Sequence, residues 1–214
     1  MANIDSPFGL RPIRHKSGAP YNGAARAYYM PSTYNTAAFI GDPVVKTGTA
    51  NTAMVKVPGG GQFGIGTLPE VNVDGGGDGS AITGVIVGFA PNPDNLAVKH
   101  GPASTERVVY VCDDPDVVFE IQADGAVPAA SMGLNAVLIA THSGSTATGL
   151  SGMELDTTST APSADASNPL LILRAVNRED NDTTLTHAKV EVRISLHTEA
   201  FGATVLTTDG QLGI

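Results

Sequence analysis

A chain of 214 residues can bury a sizeable core without disulfides, and its one cysteine, Cys112, forbids an internal one and suits synthesis in a reducing compartment. The net charge of −9, with no basic cluster beyond Arg11, Arg14, His15 and Lys16, argues against nucleic-acid binding, which needs a basic patch to displace counterions from phosphates. No run reaches the roughly 18 apolar residues that span a bilayer, and Met1-Ala-Asn-Ile-Asp5 places an acid where a secretory signal carries lysines, so neither a membrane partner nor a signal peptide is expected.

Residues 1–42 differ from the rest. Pro7, Pro12, Pro20 and Pro31 recur with Gly9, Gly18 and Gly23, and Phe8, Tyr21, Tyr28, Tyr29, Tyr34 and Phe39 punctuate them. Prolines at this spacing oppose both helix and central strand. A disordered tail would not normally carry so many aromatic anchors. An extended N-terminal arm is therefore expected, packed either on its own domain or on a neighbouring subunit. Its candidate contact residues are Phe8, Leu10, Arg11, Arg14, Tyr21, Tyr28 and Tyr29.

From Gly41 the pattern becomes β. Asp42-Pro-Val-Val-Lys46 leads to a turn at Thr47-Gly48-Thr49, Thr52–Val57 alternates weakly and stops at Pro58-Gly-Gly-Gly61, and Gln62–Glu70 is a glycine-notched strand. Asp74–Gly79 is a flexible loop. Ala81–Ala90 is nearly all apolar, as expected of a strand covered on both faces. Pro91–Asn95 is a turn, with one helical turn over 94–99. The run Arg107–Gln122 holds two strands: Val108, Tyr110 and Cys112 share one parity, Val117, Phe119 and Ile121 another. Between them Asp113-Asp-Pro-Asp116 cannot continue a strand, because proline lacks the N–H and aspartates prefer turn backbones.

Val127–Met132 reads as a short helix and Asn135–Ala140 as a strand. Thr141–Gly152 and Leu155–Asn168 read as exposed loops, the second with an edge segment at its start. Leu170–Asn177 is a buried strand and Arg178–Asp182 a charged loop. In Lys189–His197, Val190, Val192, Ile194 and Leu196 face in, and Lys189, Glu191, Arg193, Ser195 and His197 face out. About ten to twelve short strands with Gly/Pro turns, and no alternating β-α units, predict an all-β barrel or sandwich. The expected division is an arm over 1–42 and a β domain over 43–214.

The chemistry-bearing residues do not form recognisable motifs. Gly59-Gly-Gly-Gln-Phe-Gly-Ile-Gly66 is followed by Thr67-Leu-Pro rather than the Lys-Ser/Thr of a phosphate loop, so it reads as a turn and bulge. Asp113, Asp114 and Asp116, and likewise Glu179, Asp180 and Asp182, lack the spacing of an EF-hand and read as solvated turn acids. Asp74 and Asp78 lack the repeat of calcium-binding β-rolls. His15, His100, His142, His187 and His197 show no zinc spacing, and Cys112 reads as a small buried apolar residue. Gly-x-Ser-x-Gly is absent. No catalytic residue, cofactor or metal site is expected. A charged fraction of 15% with abundant Gly, Ala and Thr suits an assembling structural protein.

Several strings resemble head decoration, or capsid cement, proteins of tailed double-stranded DNA bacteriophages. They are Ser6-Pro-Phe-Gly-Leu-Arg-Pro-Ile-Arg-His15, Gly18-Ala-Pro-Tyr-Asn-Gly23, Tyr29-Met-Pro-Ser32, Gly41-Asp-Pro-Val44, Ile82-Thr-Gly-Val-Ile-Val-Gly-Phe89, Tyr110–Ile121, Leu173-Arg-Ala-Val-Asn-Arg178 and Val190–Leu196. The resemblance spans nearly the whole chain and carries no catalytic or metal motif. It implies a non-enzymatic protein of the virion, made in the host cytoplasm and seated on the outer capsid surface. Its partners would be the major capsid protein and neighbouring copies of itself, touched through the arm residues named above. The alternatives are a glycan- or receptor-binding β module, and a tail-tube or adaptor protein.

Overall fold

The computed structural model describes residues 3–58, 61–92 and 95–200. Gly59 and Gly60 of the expected glycine turn, Pro93 and Asp94 of the expected turn and helical turn, and residues 201–214 of the expected β domain lie outside the described residues. The described chain is all-β. Its strands are β1 (Arg11–His15), β2 (Arg26–Met30), β3 (Pro43–Ala50), β4 (Val55–Val57), β5 (Gly61–Phe63), β6 (Pro69–Val73), β7 (Gly84–Phe89), β8 (Arg107–Cys112), β9 (Val117–Gln122), β10 (Asn135–Ala136), β11 (Leu138–Ile139), β12 (Glu154–Leu155), β13 (Leu170–Ala175) and β14 (Lys189–Ile194).

Ten of these strands form two structures, and β4-β5 and β11-β12 are separate two-stranded sheets. β2-β6-β3-β7-β8 close into a barrel, and β1-β9-β14-β13-β10 form an antiparallel sheet. The acidic corner after Cys112 is where the chain leaves the barrel for the sheet. There the Asp116 N–H donates to Asp114 Oδ1 at 2.8 Å and the Val117 N–H to the Asp114 carbonyl at 3.2 Å. The two structures are welded through β7, the apolar run expected to be covered on both faces. Val85 belongs to the core under the sheet, with Phe119, Ile121, Ile172, Val190 and Val192, while Ile86 belongs to the barrel interior with Tyr28, Met30, Val44, Val71, Val109 and Val111. Alternation with period two sends the neighbouring residues of one strand into two different cores. A third, smaller core lies where the β4–β5 hairpin covers the outer side of β2 and β8, through Val55, Leu68, Ala90 and Val108.

The segment expected to be an arm supplies a strand to each structure: β1 pairs with β9, and β2 with β8 and β6. Prolines allow this because of where they fall. Pro12 sits at a register shift of β1, an edge strand, and Pro31 follows the end of β2. A missing N–H costs little at an edge or a bulge.

Other boundaries also differ from expectation. Residues 62–70 break at Gly64–Leu68 into β5 and β6, because the side chain of Asn51 takes over the turn: its amide donates to the Gly64 carbonyl and its Oδ1 accepts from Leu68 N–H. Residues 95–99 make a turn closed by Asn95 rather than a helical turn. The short helix over 127–132 is a 3-10 turn at Ala129–Ser131. The outward set of the last strand needs two corrections. Glu191 is buried, because arginines from two other strands cover it. His197 is buried as well: β14 ends at Ile194, Ser195 and Leu196 turn their N–H groups to the Pro169 carbonyl, and the alternation slips by one.

Candidate contact surface

Just before β1 the N-terminal segment runs tight against the chain that leads into β3. Gly9 and Gly41 touch there: the Leu10 N–H donates to the Gly41 carbonyl at 2.9 Å, and both glycines hold positive φ, +69° and +100°. A Cβ on Gly9 would meet the Gly41 oxygen at 2.5 Å, and one on Gly41 the Phe8 oxygen at 2.3 Å. Only glycine combines this backbone with this approach. Beside this contact lies an open groove of about 260 Å³ lined by Phe8, Leu10, Arg11, Pro12, Tyr21, Ile40, Ile86, Val87 and Leu150. Its wall is mostly apolar, with the Arg11 guanidinium on its rim, 4.6 Å from the Phe8 ring centroid in cation–π geometry. Leu10 forms the floor, 1% exposed, and the Arg11 side chain is 53% exposed.

Beside the groove the outer face of the sheet carries a charge lattice. Glu120 of β9 and Glu191 of β14 lie directly opposite each other in register. Two like charges so placed repel, and four arginines resolve the conflict. Arg11 and Arg178 hold Glu120 at 2.7 and 2.8 Å, and Arg14 and Arg174 hold Glu191 at 2.5 and 2.8 Å. Burial alone would push the Glu191 carboxyl up; hydrogen bonds from Arg174 and Arg14, and their charges, outweigh it and hold the group below the usual glutamate range. Two of the four arginines, Arg11 and Arg14, come from β1. The lattice therefore fastens the N-terminal strand as well as neutralising the pair.

Of the seven contact residues read from the sequence, the fold gathers Phe8, Leu10, Arg11 and Tyr21 at the groove and places Arg14 in the adjoining lattice. The other two lie elsewhere. Tyr28 is inside the barrel, its hydroxyl donating to Asp113 at 2.8 Å, and burial followed by that hydrogen bond raises its pKa. Tyr29 is on the barrel's outer side, its hydroxyl donating to Glu106 at 3.0 Å, and burial pushes its pKa up to about 12. Asp113 is thus not a solvated turn acid: it is buried, bonded to Tyr28 and paired with Arg26. Cys112 lies in the sheet core, where burial pushes its thiol up to about 11, the state of an inert packing residue.

Two further features have no counterpart in the sequence patterns. A cleft of about 500 Å³ is lined by Tyr34, Phe39, Asp42, Asp74, His142 and Met153, among others. Burial pushes the Asp42 carboxyl up to about 6, although Ser151 and the Phe39 N–H, 2.8 Å away, bond it. Nearby, Asp5, Glu154 and His187 bring one ligand atom each within 4.8 Å of one another. These three come from the N-terminal segment, β12 and the loop before β14, and no local spacing signals them. Among the described residues no helix is long and apolar enough to cross a membrane. Comparison with protein-family models, with curated proteins and with solved structures gave no match.

Proposed function

We propose that this chain is a non-enzymatic structural protein of a phage head, which decorates the outer capsid surface and bridges neighbouring major capsid proteins. The observation that carries this reading is the groove. Four residues singled out as contact residues from the sequence, at and around β1, line one open apolar slot rimmed by a cation. A slot of this kind accepts an extended segment with an apolar side chain and an acid, here a surface loop of the major capsid protein. Exposed apolar side chains elsewhere sit off the strands, at Ile4, Met54, Ile65, Leu96 and Leu185, and give further points of contact. Several weak contacts per copy suit cementing, because every contact after the first is effectively intramolecular.

The test uses heads assembled without the protein. Added back, the wild-type protein binds and raises the temperature at which heads release DNA, and Arg11→Glu, which reverses the groove's rim charge, binds more weakly. Depleted heads with wild-type heat resistance would sink the reading. The cleft beside Tyr34, Asp74 and His142 is where the alternative, a glycan-binding module, would act, and saturable binding on a glycan array abolished by Tyr34→Ala would favour it.

A further inference from the structure

We infer that one zinc-class divalent cation binds between Asp5 Oδ1, Glu154 Oε1 and His187 Nδ1, and ties the N-terminal segment to the loop before β14. The His187 Nδ1 atom is closed off from solvent and has no hydrogen-bond partner. It stands 3.6 Å from Asp5 Oδ1 and 3.8 Å from Glu154 Oε1. Those separations exceed hydrogen-bond reach. They are close to the edge of a tetrahedron whose metal–ligand bonds are about 2.0–2.1 Å, an edge of roughly 3.3–3.4 Å. Asp5 Oδ1 and Glu154 Oε1 lie within 4.8 Å of each other, so the three ligands close around an ion when the exposed Asp5 carboxylate moves inward, with the fourth position left to water.

The surroundings already orient the oxygens. Gln122, fully buried, donates its Nε2 to Asp5 Oδ1 at 3.0 Å and to Glu154 Oε1 at 2.8 Å. Its own Oε1 accepts from the Ser6 N–H at 3.1 Å, which fixes which end of the amide faces the carboxylates. His142 Nδ1 lies 2.9 Å from Glu154 Oε2 and holds the other oxygen of that carboxylate. Outer partners of this kind fix ligand orientation at metal sites. One imidazole with two carboxylates suits zinc and its neighbours among the transition metals, and disfavours calcium, which takes six or more oxygens. The rival account is an imidazolium held between two carboxylates with no ion.

The experiment titrates zinc chloride alone into the full chain after chelator dialysis, by calorimetry and by thermal unfolding. Wild-type protein binds one ion, and its Tm rises by about 5–10 °C when free zinc is a hundredfold above Kd. Asp5→Asn, a change at an exposed side chain, weakens binding at least about tenfold. His187→Gly removes the nitrogen and suits the backbone, since His187 holds φ +61°; it folds and loses the zinc response. Absence of binding, unchanged affinity in Asp5→Asn, or stabilisation by calcium but not zinc would each overturn the site in favour of the ion pair or of different ligands.

Discussion

Replacing Leu10 by alanine measures how firmly the N-terminal segment belongs to its own chain. Leu10 is 1% exposed and packs in the core under the sheet with Ile82, Val85 and Phe119 among its cluster. The substitution removes three carbons, worth about 2.4 kcal/mol of transfer at roughly 0.8 kcal/mol each. The cavity left behind adds to this, and measured Leu→Ala changes in a well-packed core span about 2.7–5.0 kcal/mol. The expected loss is therefore about 3 kcal/mol, or a Tm lower by roughly 6–12 °C for a chain of this size. Urea unfolding of the isolated protein, followed by circular dichroism, reads it directly. Ile4→Ala is the control: Ile4 is 72% exposed, and its loss leaves stability within about 0.5 kcal/mol. If Leu10→Ala proves as silent as Ile4→Ala in isolated protein, the segment does not pack on its own sheet in solution.

Four further outcomes are expected. Gly41→Ala destabilises by several kcal/mol or prevents folding, because the new Cβ meets the Phe8 carbonyl at φ +100°; a variant with wild-type urea midpoint would refute the close approach. Glu191→Gln lowers stability at pH 7 by about 1–3 kcal/mol. Since the native Glu191 pKa is depressed, that contribution is present above the ordinary glutamate pKa of about 4.3 and is lost as pH falls through the native value, so the two midpoints converge in acid. Asp42 has the opposite sign: raised to about 6, it favours the folded state below its unfolded pKa and loses that advantage as pH rises through 6, so Asp42→Asn matches wild type near pH 4 and exceeds it by about 3 kcal/mol at pH 8, and parallel pH–stability curves would refute this. The Cys112 thiol does not react with a disulfide reagent at pH 8 until the protein is unfolded; rapid labelling of native protein would contradict its burial.

The parts of this fold legible in the sequence are those decided by alternation. Val190, Val192 and Ile194 face the core as read, the apolar run through Val85 and Ile86 is covered on both faces, and the corner at Asp113–Asp116 ends one strand and starts another. Alternation does not tell which sheet a strand joins, so nothing in Arg107–Gln122 says that its halves belong to a barrel and to a separate sheet. β1 and β2 were hidden because proline reports what the backbone cannot donate, and the positions where that matters little, an edge, a bulge and a strand end, are set by tertiary pairing. Parity puts Glu191 toward solvent because it gives the face of a sheet and not what lies over it; of the two arginines that cover it, Arg14 is 177 residues away in the chain. Asp5, Glu154 and His187 were unreadable as a group for the same reason.

The distribution of these long-range contacts bears on how the chain would meet the partner proposed for it. Residues 3–15 are held at four levels. Asn3 bonds the Asp182 and Thr186 carbonyls, Ser6 and Asp5 bond Gln122, Leu10 fills the sheet core, and Arg11 and Arg14 enter the charge lattice. To lend this segment to a neighbouring subunit, the chain would have to expose Leu10, leave Glu120 and Glu191 facing each other with half their arginines, and free the edge of β9. Leu10 alone costs about 2–3 kcal/mol. An unpaired sheet edge is itself a template for aggregation. A segment bound this way serves a partner better as a wall than as a reaching arm. Held in place, it would present Phe8 and Arg11 to the proposed partner on a preformed groove, and binding would then avoid the ordering entropy that a flexible tail has to lose. Strengthening any one of the four ties should then tighten partner binding rather than weaken it, whereas an arm that must detach in order to bind would show the reverse.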